Sequence, residues 1–269
     1  MKLYISADIE GVAGLTHWDE ANKTKSDYEY FRNQMTKEVA AAFRGAVKAG
    51  FNDILVQDAH GSGRNIISRE LPREARILRG WSRSPLAMVQ ELNEIFDALI
   101  YVGYHSPASS DGHPLSHTMK SSAVAEMRIN GERISEFTMH SYAAGYLGVP
   151  VVFVSGDKKL NEDVKKFNNN ISTYATSEGI GNSTISVHPD LAIEEIERIV
   201  EEALKKDLNL CKVDMPQEFI LEIEYVHHFE AYKSSFYPGA ELINEKTVRF
   251  KSNNYMDVLT AITFLVSYS

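Results

Sequence analysis

The first 157 residues alternate between short apolar runs and amphipathic segments. The apolar runs predict buried strands over residues 3–9, 52–60, 98–105 and 149–157. Apolar residues spaced three or four apart predict helices over residues 29–50, 85–95 and 136–148. Because strands joined through helices pair in parallel and bury both faces of their sheet, we expect an α/β fold with a largely parallel sheet covered on both sides.

The chain changes character after about residue 185. A charged amphipathic helix is predicted over 191–206, strands over 219–226 and 246–250, and a last helix over 256–269. Earlier, residues 127–135 predict a hairpin that turns at Asn130-Gly131. We therefore expect an α/β domain over 1–185, which carries the candidate site, and a smaller α+β portion over 186–269, packed on it or interwoven with it.

Net charge limits the binding partners to be expected, and the cysteine count limits the disulfides. The net charge of −9, with no basic cluster to offset it, argues against a nucleic-acid partner or an anionic membrane surface. No apolar run approaches the ~20 residues of a membrane helix, and the acids at positions 8 and 10 do not fit a signal peptide. The single cysteine, Cys211, excludes an internal disulfide and is expected to be a bystander thiol. We expect a cytoplasmic protein.

Potential metal ligands follow each of the first three predicted strands. Asp8 and Glu10 follow the first strand, Asp58 and His60 the second, and His105 the third. The carboxyl ends of parallel strands lie at one edge of a sheet, where ligands bind, and residues two apart on an extended chain point to the same side. Carboxylate oxygens together with imidazole nitrogens suit a hydrolytic zinc or another transition metal.

Each of these residues also has an ordinary structural role. A single aspartate at a strand end most often caps a helix or stabilises a turn, and a single histidine there is usually a hydrogen-bonded loop residue. The repetition of ligand side chains at successive strand ends favours a metal site. Asp157, after the fourth strand, could support that site or cap a helix.

Two further choices remain open from the residues alone. His113 and His117 lie in a loop that could cover the site and supply acid–base chemistry, although His113 by itself is more typical of a solvated loop. Glu136 and His140 lie four apart on one helix face, so either could reach the metal. His140 by itself is more typical of a packed polar residue.

Other catalytic motifs are missing. The sequence has neither a GxxxxGK[ST] phosphate loop nor a GxSxG nucleophile elbow, which leaves metal-assisted chemistry as the strongest interpretation. The His227-His228 pair falls in a region predicted to be a strand. Neighbouring side chains of a strand oppose each other, so we interpret this pair as structural.

Five motifs in order resemble the D-aminopeptidases of the dipeptide-permease operon type, the M55 metallopeptidases. They are ADIEG at 7–11, DAHGS at 58–62, GYHS at 103–106, LSHTM at 115–119, and the Glu136 segment followed by AAGYLGVPVVFVSGD. The resemblance implies a three-layer α/β/α fold with a mostly parallel sheet, similar to phosphorylase/hydrolase-like domains, and a smaller interwoven β-containing part.

The resemblance also implies roles for individual residues. It implies two zinc ions per subunit, bridged by Asp8, with Glu10, His60, His105 and Glu136 as the remaining ligands, and a catalytic role for His117. Such an enzyme uses a water activated by two metals to remove an N-terminal, D-configured amino acid from a short peptide. Family members are cytoplasmic and form homo-oligomers, namely decameric rings.

Two positions depart from the family pattern. His140 stands where a smaller polar residue such as asparagine is expected, and residues 177–189 lack an expected basic residue. These departures bear on D-specificity more than on the zinc site. The alternatives are another metal-dependent amidase or phosphoesterase, a non-catalytic peptide-binding protein of a transport system, and an inactive relative that acts as a scaffold.

Overall fold

The computed structural model describes residues 1–266. Its strands are β1 Lys2–Ala7, β2 Asp53–Asp58, β3 Arg76–Leu78, β4 Ala98–Tyr104, β5 Val124–Ile129, β6 Glu132–Arg133, β7 Val151–Asp157, β8 Ser172–Ile180, β9 Ser183–Ser186, β10 Phe219–Tyr225, β11 Ala240–Leu242 and β12 Thr247–Ser252. Its helices are α1 Trp18–Ala21, α2 Tyr28–Lys48, α3 Glu136–Tyr146, α4 Lys158–Phe167, α5 Pro189–Leu204, α6 His228–Ser234 and α7 Tyr255–Leu265.

The larger sheet has seven strands in the order β3-β2-β1-β4-β7-β8-β9. All of its neighbouring strands pair in parallel except β8 and β9, which form an antiparallel hairpin. The predicted α/β fold with a mostly parallel sheet is therefore confirmed. The chain passes from β1 to β2 on one side and returns to β4 on the other, so the order of strands reverses beside β1. Such a switch point is where open α/β sheets bind ligands.

Helices cover both faces of this sheet. On one face α2 and α5 pack against each other, and their apolar residues share a core with Leu3, Ile5 and Val56. On the other face, residues of α3, α4 and α7 share a core with Tyr101 and Val154. Burial on both faces explains why β1, β4 and β7 are almost uninterrupted apolar runs.

The smaller sheet has five antiparallel strands in the order β11-β12-β10-β5-β6. The β5–β6 hairpin turns at Asn130 and Gly131, whose φ angles of 53° and 84° suit the predicted turn. Two of its strands come from the chain between β4 and α3, and three come from the chain after residue 218. The chain thus leaves the larger sheet after β4, contributes β5 and β6 to the smaller sheet, and then returns to the larger sheet at β7. The division into domains near residue 185 stays a prediction.

Two local predictions are wrong. The segment 85–95 contains only one short 3₁₀ turn, over Ala87–Val89, because Ala87 and Glu91 have φ angles of 41° and 66° that no α-helix accommodates. His227 and His228 lie at the start of α6, outside any strand. The elements α1, β3, α4, β8, β9, α6 and β11 were not predicted.

The remaining elements agree with the sequence to within a few residues. The last predicted helix ends at Leu265, and residues 267–269 of that prediction lie outside the described residues. Within residues 1–266, no helix combines the length and the apolar character that crossing a membrane requires.

Candidate metal centre

Asp8 and Glu10 lie in the turn that follows β1. The turn forms because the Gly11 amide donates to the Gly103 carbonyl at 2.8 Å and the Val12 amide donates to the Ile9 carbonyl at 3.2 Å. A Cβ atom at Gly11 would lie 1.8 Å from the backbone oxygen of Tyr104, so only glycine fits there. The two carboxylates converge as the sequence predicted, but a turn, rather than an extended chain, brings them together.

His60 faces both carboxylates. Its Nδ1 lies 3.1 Å from Asp8 Oδ1 and 3.0 Å from Glu10 Oε2, while its Nε2 donates to the Ala21 carbonyl at 2.8 Å. A backbone carbonyl that accepts from one ring nitrogen fixes the ring and directs the other nitrogen, which is the usual support for a metal-binding histidine. Asp8, Glu10 and His60 form one candidate ligand group, with atoms within 4.8 Å of one another.

His105 has the same kind of support on the other side of Asp8. Its Nδ1 lies 2.9 Å from the Ser106 carbonyl, and its Nε2 lies 3.4 Å from Glu136 Oε2 and 3.7 Å from Asp8 Oδ2. Glu136 is the first residue of α3, where the Ser135 hydroxyl caps the helix by accepting from the Thr138 amide. The other carboxylate oxygen of Glu136 accepts from the Met119 amide at 2.6 Å.

Asp8 lies between two histidines, with one carboxylate oxygen directed at each. His105, Glu136 and His117 form a second candidate ligand group, also with atoms within 4.8 Å. Asp8 belongs to the first group, and its Oδ2 lies 3.7 Å from His105 Nε2 of the second. Asp8 thus lies between the two groups, and its bridging role stays a prediction.

The donor set fits zinc. Asp8, Glu10 and Glu136 are at most 3% exposed, and within residues 1–266 no lysine or arginine forms an ion pair with them. Glu10 Oε2 and His105 Nε2 are buried and lack a hydrogen-bond partner within the same residues. Three buried carboxylates that have only histidines among the described residues to offset their charge are costly, and a divalent cation would reduce that cost. Oxygen and imidazole donors match zinc.

The pKa values of the carboxyl groups in the centre also favour a bound cation. Burial, and then the charge of Glu10, raise the pKa of the Asp8 carboxyl well above its usual range. Burial also opposes ionisation of Glu136, but the charge of His105, whose Nε2 lies 3.4 Å away, lowers the pKa of Glu136 to about 2. The chain alone therefore holds Asp8 in its ionised form at a cost, which a bound cation would offset.

His117 differs from the other two histidines. Its Nε2 lies 3.9 Å from both Glu10 Oε1 and Glu136 Oε1, and its Nδ1 has no hydrogen-bond partner within residues 1–266. The ring stacks on His105 at 4.3 Å and meets the edge of Trp18 at 5.0 Å. Burial and the neighbouring His105 lower the pKa of His117 to about 4, so the ring is neutral at pH 7.

The loop that carries His117 has an unusual backbone. Four of its residues other than glycine have positive φ angles: Ser109, His113, Leu115 and Met119. Such conformations cost energy and persist where the surrounding structure holds them. His113, expected in a solvated loop, is buried, and its Nδ1 accepts from the Leu115 amide of the same loop. It therefore shapes the loop and lies outside both ligand groups.

Two other candidate residues have structural roles. Asp58 accepts hydrogen bonds from the Asn65 and Ile66 amides and so anchors the loop after β2. Asp157 caps α4 through the Leu160 amide and also binds the amide and hydroxyl of Ser106, next to His105. It is both a cap and a support for the site.

His140 is a buried structural residue, as its sequence context indicated. Its Nδ1 donates to the Glu136 carbonyl at 2.7 Å, and its Nε2 accepts from the Met88 amide at 3.3 Å. Burial lowers its pKa to about 4, consistent with a neutral ring. Since both ring nitrogens have backbone partners, neither is available to a metal, and the residue instead connects α3 to the segment after β3.

A cavity of about 650 Å³ opens beside the centre, a size typical of small-molecule sites. Asp8, Glu10, His60, His117 and Glu136 line it, whereas the fully buried His105 does not. The sequence analysis did not identify several other residues of its wall, among them Trp18, Arg64, Trp81, Met88 and Thr263. Of these, only Arg64 lies close to a quoted motif, two positions after the end of DAHGS.

Comparisons with known proteins agree with this geometry. A family model described as D-aminopeptidase, peptidase M55, matches residues 1–264. The curated D-aminopeptidase of Bacillus subtilis (strain 168) is 29% identical over 264 residues, which cover 97% of this chain and 95% of that protein. The solved structure of the Zn-dependent D-aminopeptidase DppA from Bacillus subtilis, described as a self-compartmentalizing protease, is similar with a TM-score of 0.91 and 28% identity, over the full length of both chains.

Proposed function

The chain belongs to the M55 family of D-aminopeptidases and is a metallo-aminopeptidase, and on that premise we propose that it removes N-terminal D-amino acids from short peptides at a centre of two zinc ions. Asp8, Glu10 and His60 would hold one ion, and His105 and Glu136, together with Asp8, would hold the other. The observation that carries this proposal is the place of Asp8, which directs one oxygen at each histidine.

The chain's own residues prepare the site for hydrolysis. When bound, zinc would polarise the peptide carbonyl and lower the pKa of water. The backbone carbonyls of Ala21 and Ser106 orient His60 and His105, so that little reorganisation accompanies binding. Trp18 and Met88 contribute apolar surface to the cavity that the carboxylates line, which would limit water around a bound substrate.

His117 is the residue that we assign to catalysis. It lines the cavity, lies within 4 Å of both Glu10 and Glu136, and lacks the backbone acceptor that orients the two ligand histidines. A neutral imidazole in this position can take up a proton or donate one to the leaving amine. These features support a catalytic role rather than a ligand role.

We also propose that the enzyme forms a homo-oligomer, specifically a decameric ring, in the cytoplasm. Large exposed apolar side chains support assembly: Phe229 and Tyr232 lie on α6, Phe236, 71% exposed, follows α6, and Phe264, 66% exposed, lies on α7. Exposed apolar groups of this size usually mark interfaces. The structural neighbour is described as self-compartmentalizing. Light scattering coupled to size exclusion would report the number of subunits.

Activity on paired substrates tests the proposed function. The purified zinc-loaded protein is assayed with D-alanine and L-alanine p-nitroanilides and with p-nitrophenyl phosphate. We expect hydrolysis of the D-anilide, slower hydrolysis of the L-anilide, none of the phosphate ester, and loss of activity after chelation. Hydrolysis of the phosphate ester alone, or anilide hydrolysis that survives complete removal of metal, would contradict the proposal.

A further inference from the structure

The charge of the cavity reverses between its buried end and its exposed side. The buried end holds the carboxylates of Asp8, Glu10 and Glu136, and the exposed side carries Arg64. Arg83 and Lys120 also line the cavity, but each already has an interaction partner. Arg64 forms no ion pair within residues 1–266, which makes it the cation that can bind an incoming anion.

The position of Arg64 is set by the loop that also presents His60. The Gly63 amide donates to the His60 carbonyl at 2.8 Å, and the Asn65 side chain donates to the same carbonyl at 2.7 Å. Gly63 has a φ angle of 64°, and a Cβ atom there would lie 2.8 Å from the Gly80 amide nitrogen. Since Asn65 is also bound to Asp58, the backbone on both sides of Arg64 is fixed relative to the metal centre.

A second, cationic pocket adjoins the cavity at this point. It has a volume of about 370 Å³, it shares Ser62 and Arg64 with the cavity, and its other basic residues are Lys23, Lys25 and Arg32. Lys25 pairs with Asp19 and Arg32 with Glu29. Lys23, like Arg64, has no ion pair among the described residues. Unpaired positive charge beside an active site is notable in a chain with a net charge of −9.

We propose that Arg64 binds the C-terminal carboxylate of the peptide substrate, and that this contact selects short peptides with a free C-terminus. The inference rests on the proposed function. With the scissile carbonyl at the metal centre, only the part of the peptide on its C-terminal side extends further, and each extended residue spans at most about 3.6 Å. The planar guanidinium can bind a carboxylate through two parallel hydrogen bonds.

Matched substrates isolate this contact. D-alanyl-glycine and D-alanyl-glycinamide differ only in the terminal carboxylate, so each is assayed with the zinc-loaded wild type and with Arg64→Met. For the free acid we expect kcat/KM to fall by about tenfold or more, mainly through KM, because a hydrogen bond to a charged group contributes ~1.5 kcal/mol or more. For the amide we expect a change of less than about twofold.

Two further variants serve as controls. Arg64→Lys keeps the charge but loses the planar fork, so it should restore part of the preference for the free acid. Arg69→Gln removes an exposed arginine that lies outside the cavity and should leave both substrates unaffected. Higher salt should raise KM for the free acid in the wild type and have less effect in Arg64→Met.

The outcomes separate this inference from the proposed function. If Arg64→Met changes neither substrate, or weakens acid and amide equally, Arg64 does not bind the carboxylate, although the wild type still cleaves the amide and the proposed function stands. If the wild type cleaves neither peptide, the proposed function fails and the inference fails with it.

Discussion

Replacing Asp8 with asparagine is the most informative change to the metal centre. The carboxylate directs Oδ1 at His60, 3.1 Å away, and Oδ2 at His105, 3.7 Å away. Asparagine keeps one acceptor oxygen and places an NH₂ donor at the other position. One candidate ligand group therefore loses an anionic donor, and the total charge of the three buried carboxylates falls from −3 to −2.

The structure sets the size of the expected effect. Loss of a supporting residue alone costs 10–100-fold in metal affinity, so loss of the shared ligand should weaken zinc binding by about 100-fold or more. At a zinc concentration about 100 times the dissociation constant of the wild type, the stabilisation by zinc falls from about 2.7 to about 0.4 kcal/mol, a loss of about 2.3 kcal/mol. For a chain of this size, the melting temperature of the zinc-loaded protein should fall by roughly 5–10 °C.

Without metal, Asp8→Asn should not lower the melting temperature. Burial and the charge of Glu10 raise the pKa of Asp8, so its ionised form is costly without metal. Asp8→Asn should therefore melt at the same temperature as the wild type, or above it, in the presence of a chelator. Bound zinc is counted by elemental analysis after dialysis, and melting is followed by calorimetry with and without chelator.

Asp53→Asn is the matched control. Asp53 begins β2 at the opposite edge of the sheet and pairs with Arg76 at 2.6 Å on the surface. It should keep the zinc content of the wild type. If Asp8→Asn also keeps two zinc ions per chain and melts normally with zinc, the bridging role of Asp8 is refuted.

Three further substitutions test the surroundings of the centre. His117→Ala should lower kcat by about 100-fold or more while bound zinc stays constant in elemental analysis, since the proton-transfer group is lost but the ligands remain. His140→Ala removes two buried backbone hydrogen bonds and leaves a cavity, so urea unfolding should show a loss of about 2–4 kcal/mol with zinc content unchanged. Glu38→Gln should stabilise the protein at pH 8 by up to about 3 kcal/mol and have little effect at pH 5, as measured by urea unfolding at both values.

The sign for Glu38 follows from its burial. Burial raises its pKa from 4.5 to about 7, although the Ala13 amide donates to it at 2.9 Å. The folded protein thus holds the proton more tightly than the unfolded chain. Stability from this group is present below pH 4.5 and is lost as the pH rises through about 7. Glutamine keeps an acceptor for Ala13 but cannot ionise, so it avoids that loss.

Contrary results would be clear in each case. Zinc lost from His117→Ala would make His117 a ligand, and normal turnover would remove it from catalysis. Unchanged stability of His140→Ala would contradict its link between α3 and the segment near Met88. A stability difference for Glu38→Gln that is the same at pH 5 and pH 8 would show that Glu38 does not titrate in this range.

Local patterns were sufficient to predict most of the central sheet. The strands β1, β2, β4 and β7 are apolar runs because both of their faces are buried, and such runs are visible without any knowledge of their neighbours. The same reasoning placed ligand side chains after the first three strands. The convergence of Asp8, Glu10, His60 and His105 followed from parallel topology alone, because parallel strands end at one edge.

Segments without a regular period were not predicted correctly. Residues 85–95 have helical spacing, but their backbone carbonyls accept hydrogen bonds from the buried hydroxyls of Ser6 and Tyr4, which hold the segment against the sheet in an irregular form. The half-buried strand β8 lacks a continuous apolar run. In both cases tertiary contacts outweigh local preference.

The division of roles among the histidines depended on tertiary structure. Sequence spacing placed His140 one helical turn from Glu136, and only the three-dimensional contacts show both of its ring nitrogens bound to backbone atoms. His60 and His105 each have a backbone acceptor that directs one nitrogen toward carboxylates, whereas His117 has none within the described residues. Residue identity and periodicity select the donors and the edge of the sheet at which they gather, because these follow from local backbone geometry. The orientation of each ring, and the place of Arg64 at the exposed side of the cavity, depend on hydrogen bonds between residues far apart in sequence, which only the folded chain brings into contact.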